Sequence, residues 1–413
     1  MTFLFKHKNL SVLVLVLVLA SCKTKAPTVV ANSVPTEIEL REVKTGVENS
    51  RKYLSKVKHK KAGIVTNQTG IVTLNDEEDK KLASNQQSIV DFFLEHHIDV
   101  AKIYAPEHGF RGTADAGELI KDGFDTQTGL PIISLYGDNK KPKPEQLAGI
   151  EVMIFDLQDV GVRFYTYISS LHFVMEACAE NDIPLIVLDR PNPNINIIDG
   201  PILEKEHTSF VGMHPVPVLH GMTIGEYAKM INGEKWLKNG IQCELTVVPC
   251  ANYHRNHTYS LPVKPSPNLP NDQSINLYAS LCFFEGTNVS VGRGTDTQFQ
   301  IYGSPYLPIR DFYFVPKPNL GSKSPLHNGK ICFGENLTTT PKVSQLELKW
   351  LLKAYENTLD KSVFFTNFFP KLAGSKKLQE QIINGVSEEE IRKSWVDGLE
   401  EFKKMRQQYL IYE

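Results

Sequence analysis

Neither charge sign dominates this chain: 45 Lys and Arg stand against 47 Asp and Glu over 413 residues, a formal net charge of −2. That balance leaves no electrostatic footprint for nucleic acid. Cysteine is scarce, with six residues and no C-x-x-C spacing, which removes zinc knuckles and thioredoxin-type sites. No G-x-G-x-x-G follows the first predicted strand, and no Walker A, H-E-x-x-H or G-x-S-x-G run is present. Dinucleotide, P-loop, zincin and serine-hydrolase readings therefore lack their mechanical parts. Ser55-x-x-Lys58 and Lys44-Thr45-Gly46 mimic β-lactamase motifs, but in reversed order within one short stretch, so chance accounts for them. The pair His96-His97 has no acid at ligand spacing, so neither a metal nor a cofactor is expected. The 24 Pro and 27 Gly follow no period, which excludes a collagen-like chain, and 41% hydrophobic residues suffice for a sizeable core.

Long apolar runs are also lacking, with one exception at the N-terminus. Lys6, His7 and Lys8 precede an apolar run from Leu10 to Ala20, too short for a membrane span and suited to a signal h-region. It ends in Leu19-Ala20-Ser21-Cys22, which resembles a bacterial lipoprotein signal cleaved before a lipid-bearing Cys22. The expectation is a signal peptide over residues 1–21, a tether over 22–50 with Pro27 and Pro35, and attachment to a membrane through lipid alone. Cleavage takes the formal charge from −2 to −4 by removing Lys6 and Lys8. Such a protein belongs in the bacterial cell envelope, periplasmic or surface-facing. Nothing in the sequence sets its oligomeric state.

From Lys61 to Val248 short apolar runs alternate with helical patterns. Strands are expected at Ala62 to Thr66, Ile98 to Tyr104, Ile150 to Phe155, Pro184 to Leu188 and Leu245 to Val248. Helices are expected at Asp76 to His96 and Ile168 to Ala179, and another opens at the capping box Thr223-Ile224-Gly225-Glu226. Near-continuous apolar strands separated by helices imply a parallel α/β sheet covered on both faces. After Leu261 the texture changes: four prolines fall between Pro262 and Pro270, turn-rich segments follow, and helical patterns return at Ser344 to Leu359 and Ser387 to Gln408. The expected organisation is a parallel-sheet domain over 51–262 and a smaller α+β domain over 263–413. Cys178 and Cys282 lie in apolar runs and are expected to be buried.

Ligands of open α/β sheets bind beyond the carboxyl ends of the strands. Asn67, Glu107, His108, Asp156, Gln158, Asp159, Asp189 and Arg190 all follow strands here, along one edge. With nucleophile, metal and nucleotide motifs missing, carboxylates are the best catalytic candidates. Glycoside cleavage takes a protonated acid for the leaving oxygen and a second group as base, nucleophile or cation stabiliser. Glu107, after an apolar strand and Pro106, has the partly desolvated setting of a general acid, with His108, Asp156 and Asp159 to shape its field. Tyr165 and Tyr167 offer flat faces to sugar rings, and Arg163 or Arg293 offers bidentate hydrogen bonds to an anionic substituent. The loops Phe284-Glu285-Gly286-Thr287-Asn288 and Gly292-Arg293-Gly294-Thr295 suit close backbone approach to a ligand. A plainer reading stands beside this one: the tyrosines as core residues at a helix start, each Arg paired with a nearby Asp, and the glycine loops as ordinary tight turns.

The same segments resemble the exo-β-N-acetylmuramidases of the NamZ (YbbC) type, bacterial peptidoglycan hexosaminidases. The resemblance rests on Thr66-Asn67-Gln68-Thr69-Gly70, Pro106-Glu107-His108-Gly109-Phe110-Arg111-Gly112 and the run from Asp156 to Tyr167. It continues through Asp189-Arg190-Pro191-Asn192-Pro193, His220-Gly221-Met222-Thr223, Pro265-Ser266-Pro267-Asn268, Glu285-Gly286-Thr287-Asn288 and Gly292-Arg293-Gly294-Thr295, and ends at Tyr409-Leu410-Ile411-Tyr412. It implies a Rossmann-like domain joined to an auxiliary domain with the active site in the cleft between them. The implied activity is release of β-1,4-linked N-acetylmuramic acid from the non-reducing ends of peptidoglycan fragments, with Glu107 in the catalytic position. From the residues themselves, the candidate substrate-binding set is Asn67, His108, Gln158, Arg163, Tyr165, Tyr167, Glu285, Asn288 and Arg293. One departure is Asn194-Ile195-Asn196-Ile197, where family members commonly turn through Leu-Gly or Asn-Gly. A glycan-binding lipoprotein without turnover, and a lyase or amidase on the same fragments, are the alternatives.

Overall fold

The computed structural model describes residues 42–73, 86–107, 109–110 and 122–413. Its main sheet has seven strands: β1 (Ala62–Thr66), β2 (Val100–Ala105), β3 (Gly123–Phe124), β4 (Pro131–Ser134), β5 (Val152–Asp156), β6 (Leu185–Leu188) and β7 (Leu245–Val248). Their spatial order is β7-β6-β5-β1-β2-β4-β3. Every pairing is parallel except that of β3 with β4 at one edge. The chain therefore starts at the centre, moves outward through β2 and β4, then returns to β5 on the other flank of β1. This is the doubly wound Rossmann order, and its switch point lies between β1 and β5. There Thr66 stands in register with Asp156.

All residues of β1, β5 and β6 are buried, so these strands have no solvent face and read as unbroken apolar runs. The period of two sorts their side chains. Val65, Phe155 and Val187 join one core with the helices α2 (Tyr167–Glu180) and α3 (Ile224–Gly233). Ile64, Ile154 and Ile186 join a second core on the opposite face with α1 (Ile89–Glu95), through Phe92 and Phe93. α3 opens as expected, Thr223 accepting from the Glu226 amide while the Glu226 side chain accepts from the Thr223 amide.

Beyond the main sheet, α4 (Asp272–Leu281) is capped by Asn271. A three-stranded antiparallel sheet follows, with β8 (Ile301–Ser304), β9 (Tyr313–Phe314) and β10 (Cys332–Asn336) in the order β8-β10-β9. The chain closes with helices that include α5 (Lys349–Asn357) and α6 (Val396–Gln407). Leu277, Phe283, Phe299, Leu351, Phe369 and Trp395 from this region share one core with α2 and α3.

Three expectations change. The helix expected over Asp76 to His96 is α1 alone within the described residues: Gln86–Ser88 is a short strand, and the Ser88 side chain caps the helix by accepting from the Val90 amide. The Ser344 to Leu359 pattern yields only Lys349–Asn357. The Ser387 to Gln408 pattern is two helices, Glu388–Lys393 and Val396–Gln407, interrupted at Ser394-Trp395 where Trp395 is buried. The five cysteines from Cys178 to Cys332 are all buried free thiols.

The C-terminal tail locks the end of β6. The Tyr412 hydroxyl donates to Asp189 Oδ2 at 2.6 Å and accepts from the Cys250 amide at 2.8 Å. Tyr412→Phe strips a donor from a fully buried carboxylate. It is expected to cost about 1–3 kcal/mol of stability, read as a lower urea midpoint at unchanged m.

Candidate active site

The site forms where the carboxyl ends of β1, β2, β4 and β5 meet. After β2 the chain turns through Pro106 to Gly109, closed by the Gly109 amide on the Pro106 carbonyl at 3.0 Å, with Gly109 at φ 74. Only a glycine takes that backbone without strain, and the turn presents Glu107. The Glu107 carboxylate accepts a hydrogen bond from Thr166 Oγ1 at 3.0 Å. A second comes from the hydroxyl of Tyr136, just past β4; burial and the Glu107 charge push that phenol well above its ordinary range.

Glu107 lines a cavity together with Tyr165, Thr166 and Tyr167 from the start of α2, Ser266 and Asn268 from the proline-rich segment, Tyr278 from α4, and Glu285, Arg293 and Phe299. Both family-like glycine loops thus reach the same hollow as the sheet-edge carboxylate. Tyr165 donates to the Pro265 carbonyl at 2.7 Å and meets Tyr167 edge-on at 4.9 Å. Tyr167 accepts from Asn67 Nδ2 at 2.6 Å. Asn67 Oδ1 in turn accepts from the Thr69 amide and hydroxyl, and Thr69 Oγ1 from the Gln158 amide at 3.1 Å. Asn67 therefore sets the tyrosine from behind. On the far wall, Arg293 Nε donates to Glu285 Oε1 at 2.5 Å and its guanidinium lies 5.1 Å from the Phe299 ring centre. Burial alone would lower the Arg293 pKa, but the Glu285 charge and hydrogen bond outweigh it and hold the guanidinium protonated.

Other expected site residues have structural duties. Asp156 is fully buried in a bidentate pair with Arg190, Nε to Oδ1 at 2.5 Å and Nη2 to Oδ2 at 2.9 Å. Asp159 is buried beneath the loop, accepting from the Gly161 amide at 2.6 Å. Gln158 donates to the carbonyls of Asp159 and Pro191, stitching the β5 loop to the β6 loop. Arg163 is fully buried, and its two terminal nitrogens donate to the carbonyls of Pro201, Val216 and Leu372 at 2.7, 2.7 and 2.8 Å. Asn288 stands off the lining, its carbonyl taking Ser304 Oγ and His327 Nε2, both at 2.7 Å. These five are not among the described residues lining the cavity with Glu107. His108, Arg111 and Cys22 lie outside the described residues.

Tyr136, Thr166, Ser266, Asn268, Tyr278 and Phe299 were not foreseen as site residues. Thr166, Ser266 and Asn268 sit inside the segments that carry the family resemblance, so a signal existed. Tyr136 follows β4, a strand too short and too mixed to announce itself. Among the described residues, no group of three or more His, Cys, Asp or Glu is placed to hold a metal ion.

Two family models match the chain: "Exo-beta-N-acetylmuramidase NamZ, N-terminal" over residues 62–273 and "Exo-beta-N-acetylmuramidase NamZ, C-terminal" over residues 276–412. The peptidoglycan beta-N-acetylmuramidase NamZ of Bacillus subtilis (strain 168) is 38% identical over 394 residues, spanning 90% of this chain and 92% of the relative. Two crystal structures of DUF1343 family proteins from Bacteroides fragilis NCTC 9343 are similar. One is 40% identical with a TM-score of 0.80 and the other 28% identical with a TM-score of 0.73; each comparison covers 90% of this chain and 99% of the other.

Burial lifts the Asp159 carboxyl to about 7, against the lowering effect of the Gly161 and Val160 amides. A carboxyl raised on folding binds its proton more tightly in the native state. Its contribution is therefore complete below about pH 4 and is lost as pH rises through 7. Asp159→Asn keeps an acceptor for the Gly161 amide and removes the charge. Stability measured by urea unfolding from pH 4 to 8 is expected to fall less steeply in this variant than in the wild type.

Proposed function

The chain belongs to the exo-beta-N-acetylmuramidase NamZ family, a family of glycoside hydrolases, and from that premise we propose that it releases terminal N-acetylmuramic acid from peptidoglycan fragments with Glu107 as general acid. The observation that carries the role is the placement of Glu107 at the strand ends, lining a hollow whose other walls include tyrosines, a Glu–Arg pair and two phenylalanines. Departure of a glycosidic oxygen demands a proton at the moment of bond cleavage. Glu107 can carry it, and the Thr166 and Tyr136 hydroxyls can either donate to its charged form or accept from its neutral form. Both hydroxyls therefore fit the carboxyl before and after transfer.

Tyr165 and Tyr167 supply flat, buried walls with their hydroxyls already paired, which suits an apolar sugar face. N-acetylmuramic acid carries a lactyl carboxylate; of Arg163 and Arg293, Arg293 lines the cavity and uses Nε for Glu285, while its two terminal nitrogens bring four further N–H groups. We place the protein in the cell envelope, anchored through lipid on Cys22, where it serves cell-wall turnover and amino-sugar salvage.

Glu107→Gln keeps the shape and removes the titratable proton. With the disaccharide of N-acetylmuramic acid and N-acetylglucosamine, kcat/KM is expected to fall by roughly 100- to 10,000-fold. Turnover within threefold of wild type would remove Glu107 from the mechanism. Product masses check the reaction class, since hydrolysis adds one water and elimination adds none. Tyr136→Phe is expected to lower kcat by about tenfold with little change in KM. The loss reflects poorer orientation of the Glu107 carboxyl, which the Tyr136 hydroxyl holds together with Thr166.

A further inference from the structure

Asp156 and Asp159, the acids expected to assist Glu107, stand outside its cavity. Asp156 is locked in a fully buried pair with Arg190, and Asp159 is buried under the loop at Gly161. Among the described lining residues there are two carboxylates, Glu107 and Glu285. They differ in what holds them. Among the described contacts of Glu107 are two hydroxyls, of Thr166 and Tyr136, which can both donate and accept and so suit a group that gains and loses a proton. A guanidinium at 2.5 Å meets Glu285, and an arginine neither accepts a proton back nor gives its own away at neutral pH. Glu285 Oε2 also receives the Cys282 thiol at 3.4 Å.

We infer that Glu285 is the second carboxylate of the reaction, a permanently ion-paired anion that stabilises positive charge at the anomeric centre. This rests on the reading of Glu107 as the proton donor. In the cleavage step the glycosidic C1–O bond breaks and its electron pair leaves with the aglycone oxygen, which takes the Glu107 proton. The positive charge this creates is shared between C1 and the ring oxygen, and the Glu285 charge lies in the same hollow. Water then adds its oxygen to C1 and gives its proton to Glu107, restoring the acid. Glu285 forms no bond to carbon and transfers no proton. With one oxygen held by Arg293 and the other facing Cys282, it is shaped as a fixed charge rather than a free nucleophile. The wall is rigid: an added Cβ on Gly286 would lie 2.5 Å from the Phe369 backbone, so the chain just after Glu285 is pressed against the helix Phe369–Ala373.

Leaving-group dependence separates the two carboxylates. A proton donor matters most when the leaving group is poor, whereas charge at C1 must be stabilised whatever departs. Glu285→Gln, which still accepts from Arg293, is expected to lose about 100-fold or more in kcat on both the natural disaccharide and a nitrophenyl N-acetylmuramic acid β-glycoside, with KM within threefold. Glu107→Gln is expected to lose far more on the disaccharide than on the nitrophenyl substrate. Thermal unfolding of each variant establishes that it is folded. A folded Glu285→Gln enzyme with kcat within threefold of wild type, or with its loss confined to KM, would overturn the inference while leaving Glu107 in place. A loss that vanishes with nitrophenol would overturn it too, since Glu285 would then behave as a proton donor. A fully active Glu107→Gln enzyme would instead strike at the premise.

Discussion

A buried arginine that meets backbone carbonyls, and no carboxylate among the described residues, anchors one wall of the candidate site. Arg163 lies where water cannot reach it, and burial pulls its pKa down to about 9, still leaving it a cation at neutral pH. Isolated charge in such a place is costly unless hydrogen bonds replace the lost hydration. Here the carbonyls of Pro201, Val216 and Leu372 replace it at the two terminal nitrogens, each within 2.8 Å. Those carbonyls come from far-apart parts of the chain, so the charge is tolerated only when all of them are in place. The space around it is equally constrained: an added Cβ on Gly374, at φ 81, would fall 2.8 Å from Nη2. The residues just after this anchor are Phe164, Tyr165, Thr166 and Tyr167, all of which line the cavity. Fixing Arg163 fixes the wall that carries them.

The sheet supplies the opposite side. Connections from β1 and β5 leave in opposite directions, the arrangement that opens a crevice at the carboxyl edge of such sheets. Polar groups at that edge then divide into two populations. Asp156, Arg190, Gln158 and Asp189 bond to one another and to the backbone behind that edge. Glu107, one strand further out, lines the hollow.

Residues after Leu261 complete the enclosure. Asn268, Tyr278, Glu285, Arg293 and Phe299 bring amide, aromatic and ion-paired surfaces to the sheet edge. Their apolar neighbours, Leu277 and Phe283 among them, share one core with α2. The second wall is therefore packed onto the helix whose first turn forms the first wall. The cavity lining brings together residues separated by more than a hundred positions in the chain, held by common packing.

Much of this is legible without coordinates. Unbroken apolar runs mark β1, β5 and β6 because strands buried on both faces carry no alternation, and Thr223 with Glu226 marks the start of α3. Glu107, Tyr165, Tyr167, Glu285 and Arg293 stand out as candidates by type and setting, and Glu107 by the family it resembles. The short strands β3, β4, β8 and β9 escape notice because two to four residues carry too little periodicity, and Tyr136 is missed with them. Which acid works and which merely holds the fold is a tertiary matter. Local sequence encodes whether a residue will be buried; it does not encode what a buried charge will meet. Arg163 finds a carbonyl 209 residues away and Asp156 an arginine 34 residues away, and only folding assigns those partners, leaving Glu107 and Glu285 as the carboxylates among the described residues that line the cavity.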